Sequence, residues 1–271
     1  MYKLIASDMD ETLLDDQHEI CQKNIDLIHK AKDKGIKFVP ATGRGYLSIQ
    51  KELKVLNLYD EKDEYTISYN GGAITENKNN RLLMFHGLSY EKTKEIFEFG
   101  LKCDVGIYVH TKDHIYLYHL DEKSAFNLKK RLDICVIMEE DTIDFLQDVP
   151  ISKIVYENQN VPYLMSLEPQ MEYILKDSCS VSYSSNKFME FNRIGVDKGE
   201  GLKHLAELLG IDLSETIAVG DNYNDIPMLK VAGLSVAAAN AVDDVKKICD
   251  IVTDADNNEG VIAEIIERFI L

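Results

Sequence analysis

Short β-rich runs alternate with helical stretches at both ends of this chain. Parallel strands need long crossover connections, so such alternation prescribes a parallel sheet flanked by helices. Leu4 to Ala6, Lys37 to Ala41 and Thr66 to Tyr69 read as strands. Between the first two, Ile25, Ile28 and Ala31 recur at helical spacing, and Gly35 supplies a stop. Asn70-Gly71-Gly72 ends the third strand, and a hairpin follows with Glu76 to Asn80 as its turn. Near the other end, Leu202, Leu205, Ala206 and Leu209 form an i, i+3, i+4, i+7 stripe closed by Gly210. After it come a buried strand at Thr216 to Val219, a helix through Met228 and Leu229, and a strand at Leu234 to Ala238. A helix with Val245 and Ile248, a strand at Ile251 to Thr253 and a final helix from Gly260 to Ile270 complete the pattern.

The middle of the chain reads differently, because strands there adjoin strands. A helix over 88–102 precedes a hairpin over 106–120 that turns at Lys112-Asp113. A helix over 122–132, strands near 134–138 and 152–156, a helix over 162–176 and an extended run at 179–184 follow. The expected organisation is therefore α/β: a doubly wound, Rossmann-like parallel-sheet core made of 1–84 and 188–271, with an inserted α+β domain at 85–187. With 271 residues, about two domains are expected, and 45% apolar residues suffice for two cores.

Charge excludes one class of function. Acidic residues outnumber basic ones 47 to 30, a formal net charge of −17, and no long basic run exists to displace counterions from a polyanion. Neither nucleic acid nor an anionic membrane surface is an expected partner. No apolar stretch approaches the roughly 20 residues that span a bilayer. The chain begins directly with the strand-like Tyr2-Lys3-Leu4-Ile5-Ala6, which leaves no room for a signal core, so the expected location is the cytoplasm. Five scattered cysteines without a C-x-x-C pair read as reduced thiols. A monomer or weak homodimer is expected.

Four short strings carry the chemistry. The first strand ends in Asp8-Met9-Asp10-Glu11-Thr12. Ligands of an open parallel sheet collect outside the carboxyl ends of its strands, and strand spacing puts Asp8 and Asp10 on one side, roughly 6 to 7 Å apart along the backbone. A solvated acidic strand end is the bland alternative. The second strand ends in Ala41-Thr42-Gly43-Arg44. Here Gly43 lets the backbone approach an anion, Thr42 offers a hydroxyl and Arg44 a bidentate donor, although an ordinary turn would look the same. A third string, Gly220-Asp221-Asn222-Tyr223-Asn224-Asp225, gathers two carboxylates and two amides, an oxygen cluster suited to Mg²⁺ or, failing that, a helix cap. Three carboxylates from Asp8, Asp10 and this loop would repel one another without a cation between them. Finally, Lys198 stands in Val196-Asp197-Lys198-Gly199, either as a surface charge or to balance a phosphoryl group and a nucleophilic carboxylate.

In this order and on these elements, the four strings resemble the motifs of the haloacid dehalogenase superfamily of phosphohydrolases. Asp8-x-Asp10-x-Thr12 looks like motif one, Thr42 motif two, Lys198 motif three and Gly220-Asp221-x-x-x-Asp225 motif four. Ala41-Thr42-Gly43-Arg44, Asn70-Gly71-Gly72 and the run on through Met228-Leu229 and Ala232-Gly233 are similar to the Cof-type subfamily, subclass IIB. Glu190-Phe191 and Val196-Asp197-Lys198-Gly199 look like its bacterial sugar-phosphate phosphatases. One position departs from the pattern: the family usually has Gly where Glu11 stands.

The resemblance implies that Asp8 attacks phosphorus while Asp10 protonates the departing alcohol and later deprotonates water. It implies Mg²⁺ on the Asp8 carboxylate, the Asp10 carbonyl and Asp221, with Asn222 or Asp225 fixing its waters. Thr42, the backbone of Met9 and Gly43, Arg44, Lys198 and Asn224 would hold the phosphoryl oxygens. The insert would be a cap that excludes water and selects the leaving group. A sugar phosphate is the expected substrate. A phosphomutase, or a phosphatase for flavin mononucleotide or pyridoxal phosphate, would use the same residues. His110, His114 and His119 lack a metal-ligand pattern and read as ordinary surface or interface residues.

Overall fold

The run Leu4-Ile5-Ala6 folds as β1 (Leu4–Ser7), buried on both faces as a central parallel strand must be. The computed structural model describes residues 1–132, 134–184 and 186–271, with all side chains except those of 123, 127 and 131. After β1, α1 (Gln22–Asp33) returns the chain to β2 (Lys37–Pro40), and α2 (Gln50–Val55) follows. The next strands, β3 (Tyr65–Ser68), β4 (Ala73–Glu76) and β5 (Arg81–Phe85), form a separate three-stranded sheet. The sequence pattern assigns β3 to the parallel sheet, which it joins among the described residues through one parallel bridge, Ala41 to Ile67. Its full ladder is the antiparallel one with β4, because the tight Asn70-Gly71-Gly72 turn brings β4 back alongside it.

Two compact units divide the chain: Met1–Met84 with Asp197–Leu271, and Phe85–Val196. The second begins with α3 (Tyr90–Gly100), β6 (Gly106–Thr111) and β7 (Ile115–Tyr118). It continues through α4 (Glu122–Arg131), β8 (Cys135–Ile137), β9 (Ile151–Glu157), α5 (Val161–Leu167), α6 (Glu172–Leu175), β10 (Cys179–Ser184) and β11 (Phe188–Arg193). The helix expected over 162–176 is broken between α5 and α6 by a 3-10 segment at Glu168–Met171, where Pro169 removes a backbone donor. The strands make one six-stranded sheet in the order β10-β11-β9-β6-β7-β8. β11 lies between β10 and β9 and pairs antiparallel with both. Residues 188–196 therefore belong to the insert, which ends at 196 and not at 187.

The chain then re-enters the first unit as α7 (Lys198–Leu209), β12 (Thr216–Gly220), α8 (Ile226–Val231), β13 (Leu234–Ala237), α9 (Asp243–Ile248), β14 (Ile251–Val252) and α10 (Val261–Phe269). A five-stranded parallel sheet results, ordered β14-β13-β12-β1-β2. Alternation along β1 feeds two cores. Ile5 joins Leu27, Ile28, Phe38 and Ile266 on one face, while Leu4 and Ala6 join Leu202, Leu205 and Met228 on the other. Each fully buried Leu or Ile stabilises the fold by roughly 1.5–3 kcal/mol. No helix among the described residues is long and apolar enough to cross a membrane.

Candidate active site

Strand order reverses between β1 and β12, and such a reversal opens a crevice at the carboxyl ends. β1 runs directly into Asp8, and β12 into Asp221. Both carboxylates are buried, 6% and 3% exposed, although nothing apolar is gained by burying them. The Asp8 N–H donates to Val219 O at 2.9 Å, which carries the β1–β12 pairing one residue further and fixes where Asp8 stands. Oxygens of Asp8, Asp221 and Asp225 all lie within 4.8 Å of one another.

The loop after β12 is folded on the carboxylate of Asp225. Its Oδ2 accepts the N–H groups of Asp221 at 3.0 Å and Asn222 at 3.1 Å, and its Oδ1 accepts from Lys198 Nζ at 2.6 Å. A Cβ at Gly220 would stand 2.5 Å from the Asp225 Cβ, so only glycine admits this turn. Lys198, the first residue of α7, is fully buried and also donates to Asp8 Oδ1. Its position depends on a close approach of two glycines. A Cβ on Gly71 (φ +92°) would lie 2.0 Å from Asp197 O, and one on Gly201 would lie 2.9 Å from Gly71 Cα. Asp197 caps the helix by accepting the Glu200 N–H at 2.9 Å.

The electrostatics are those of a cluster short of positive charge. Burial pushes the Asp8 carboxyl well above the usual range; Lys198 opposes this, and the neighbouring Asp225 and Asp221 add to it. Burial and the Asp225 charge push Asp221 up to about 7, against the Thr12 hydroxyl that donates to its Oδ1 at 2.7 Å. Burial alone would lower the Lys198 ammonium, but Asp225 and Asp8 hold it above its usual range. One buried cation thus faces three buried carboxylates. An all-oxygen donor set with this deficit fits a hard divalent cation.

The other expected residues are distributed around this centre. Thr42 is buried, its N–H donating to Ile67 O at 2.9 Å and its hydroxyl accepting the Arg44 N–H at 3.0 Å. Gly43 lies against Asn70, whose Oδ1 would be 3.0 Å from a Cβ there. The Met9 carbonyl accepts the N–H groups of Leu13 at 3.0 Å and Leu14 at 2.8 Å, which curls the chain after Asp10. Asn222 caps the short helical turn through the Tyr223 N–H at 2.9 Å, and Asn224 is half-buried beside it. Arg44 differs from the sequence expectation. Its guanidinium donates to both oxygens of Asp10, with Nε to Oδ2 at 2.9 Å, because the planar fork matches a carboxylate held in front of it. Glu11 sits at φ +62°, in the left-handed region, which accounts for the glycine usual there. The Glu11 side chain is exposed, and its carbonyl accepts from Asn240 Nδ2 at 2.7 Å.

Sequence reasoning missed Glu52 and the duties of Asn70 and Thr12. Glu52, on α2, accepts from Arg44 Nη1 at 3.3 Å. Nothing in Gln50-Lys51-Glu52 distinguishes it from a solvated helix face. The histidines of the insert divide: His119 pairs with Asp141 at 2.7 Å on the surface, whereas burial, with Lys153 nearby, holds His110 well below the usual imidazole range.

A parallel sheet with an aspartate, a lysine and an acidic loop converging at its switch point is the kind of site that handles a small anionic ligand beside a cation. The family model of the haloacid dehalogenase-like hydrolases matches residues 5–265, and the chain belongs to that family. It is 32% identical over 274 residues to the Bacillus subtilis (strain 168) protein named "Putative phosphatase YxeH", covering 100% of this chain and 99% of that one. The crystal structure of a haloacid dehalogenase-like hydrolase from Bacteroides thetaiotaomicron superposes with a TM-score of 0.86 at 32% identity, over 100% of both chains. The HAD subclass IIB sugar phosphatase BT4131 superposes with a TM-score of 0.81 at 25% identity, over 98% of both. The protein is a HAD-type phosphatase acting on a small phosphorylated substrate, in a family that uses a divalent metal.

Proposed function

We propose that this phosphatase hydrolyses a sugar phosphate with Mg²⁺ bound, through an aspartyl-phosphate on Asp8. The observation that carries the reading is the buried chain Asp8–Lys198–Asp225 beside Asp221 at the sheet's switch point. Lys198 occupies one oxygen of Asp8 and leaves the other to attack phosphorus in line. The bond from phosphorus to the leaving oxygen breaks as Asp10 delivers its proton to that oxygen. Asp10 then takes a proton from the water that attacks the aspartyl-phosphate, and the bond from Asp8 to phosphorus breaks to release phosphate. Thr42, the Met9 and Gly43 backbone, Lys198 and Asn224 hold the phosphoryl oxygens, in keeping with a reaction that is mostly positioning and charge stabilisation.

Mg²⁺ would be held by Asp8, Asp221 and the Asp10 carbonyl, with Asn222 or Asp225 orienting its waters, and when bound would offset the charge on the phosphoryl group. The sugar-phosphate assignment is supported by the likeness to subclass IIB and by the name of BT4131. The insert is read as the family's cap. The charge of −17 fits a small metabolite, not a nucleic acid, as partner, and a monomer or weak homodimer in the cytoplasm.

The test is phosphate release from a panel of phosphorylated metabolites with and without Mg²⁺. Asp8→Asn is expected to lower kcat by at least about 10³-fold and to abolish acyl-phosphate trapping. Near wild-type turnover by that variant would overturn the reading.

A further inference from the structure

Asp10 carries a restraint that acid–base chemistry must undo. A carboxyl group that gives a proton to a leaving oxygen and later takes one from water needs an oxygen free to face those atoms. Both oxygens of Asp10 instead accept from the Arg44 fork, Nε to Oδ2 at 2.9 Å and Nη2 to Oδ1. Bidentate pairing of this kind is among the stronger hydrogen-bonded arrangements in proteins, so release needs somewhere for the fork to go.

Glu52 offers that place. Its Oε1 already accepts from Arg44 Nη1 at 3.3 Å, a long contact. Its Oε2 is buried and has no hydrogen-bond partner among the described residues, and the side chain is only 12% exposed. A buried carboxylate oxygen without a partner leaves its desolvation uncompensated, which favours any donor that can reach it. Such an atom next to a guanidinium whose fork is closed on another carboxylate is an open acceptor for that fork. The backbone of Arg44 is tied through its N–H to Thr42 Oγ1 at 3.0 Å, so the side chain is the part free to turn.

We propose that Arg44 is a positioning residue whose fork is exchanged between two carboxylates. At rest it closes on Asp10 and touches Glu52; in the reacting enzyme it closes on both oxygens of Glu52 and frees one oxygen of Asp10. Glu52 makes the exchange isoenergetic enough to occur, since it replaces one charged, bidentate pair with another. The inference rests on the proposed acid–base role of Asp10.

Glu52→Gln tests it, because the amide keeps the shape but replaces one acceptor with a donor that repels the fork. The readout is the ratio of kcat/KM for glycerol 2-phosphate to that for 4-nitrophenyl phosphate. The first leaving group needs a proton and the second departs without one, while loss of fold or of phosphate binding lowers both alike. The ratio is expected to fall about tenfold, part of the roughly 10²–10⁴ typical of general acid–base catalysis. In an Arg44→Gln background the same substitution should leave the ratio unmoved, since there is no fork to strand. A crystal structure of the wild-type enzyme with Mg²⁺ and orthovanadate should show Arg44 on Glu52 Oε2. An unchanged ratio in Glu52→Gln, an equal fall in the Arg44→Gln background, or Arg44 still forked on Asp10 in the vanadate complex would each overturn the exchange. Asp10→Asn separates the two layers. If it still hydrolyses glycerol 2-phosphate, the acid–base reading fails; if it is inactive while the Glu52→Gln ratio is unmoved, only the exchange fails.

Discussion

The two units bury charge in contrasting ways. In the first, Asp8, Asp221, Asp225 and Lys198 stand where strands end and a helix begins, and three carboxylates share one ammonium. In the insert, Lys153 on β9 and Glu190 on β11 lie within a sheet, 4% and 7% exposed and paired with each other, and the Ser184 hydroxyl on β10 donates to Glu190. The insert's pair is electrically closed; the other cluster is open and needs a cation. Burial alone therefore does not mark a reactive site. An imbalance of buried charge at a sheet's carboxyl edge does.

The largest expected effect tests the closed pair. Glu190→Gln leaves Lys153 buried without a counter-charge, which typically costs about 3–5 kcal/mol. Hydrogen exchange should show it as loss of protection within 85–196, and Lys153→Met combined with Glu190→Leu should recover most of it. A loss below about 0.5 kcal/mol would erase the contrast.

The open cluster should respond to pH and metal instead. Asp8 and Asp221 have folded-state pKa values above their unfolded ones, Asp221 at about 7 against 3.8. Between those values the folded state binds more protons, so metal-free stability should fall as pH rises from about 4 to about 7. Melting in EDTA should decline over that span. At a hundred times its Kd, Mg²⁺ should restore about 2.7 kcal/mol at pH 8 and little at pH 5, where protons compete for the same oxygens. A pH-independent Mg²⁺ shift would mean that the cation binds elsewhere.

The smallest effect concerns Glu11. Replacing it with Gly relieves a left-handed residue and should stabilise the first unit by about 1 kcal/mol, read as a Tm rise of roughly 2–4 °C. It also removes one of the charges that raise Asp221. No rise would mean that the surrounding turn, including the Asn240 hydrogen bond, already offsets the strain.

Legibility followed distance along the chain. The placement of Thr42, Lys198, Asp8 and the Asp221–Asp225 loop was legible, because each sits in a local string at the end of a strand or the start of a helix. The parallel sheet was legible for the same reason, as strands and crossover helices leave periodic signatures. Less was legible where the partner is remote or the local pattern is ambiguous. β11 falls at a boundary to which the sequence pattern assigns no element, and its ladders with β9 and β10 place it in the insert. Arg44 reads as an anion binder whichever anion it meets, and here the anion is Asp10.

By itself the sequence determined the order of strands and helices, and hence which residues stand at the carboxyl ends, since hydrophobic period and turn chemistry act over a few residues. Only the tertiary structure decided what those residues touch. Lys198 and Asp8 are 190 positions apart, and Arg44 lies 34 from Asp10. Contacts of that range depend on how strands are ordered and how closely elements such as Gly71 and Gly201 approach. Packing settles that geometry, and no local preference encodes it.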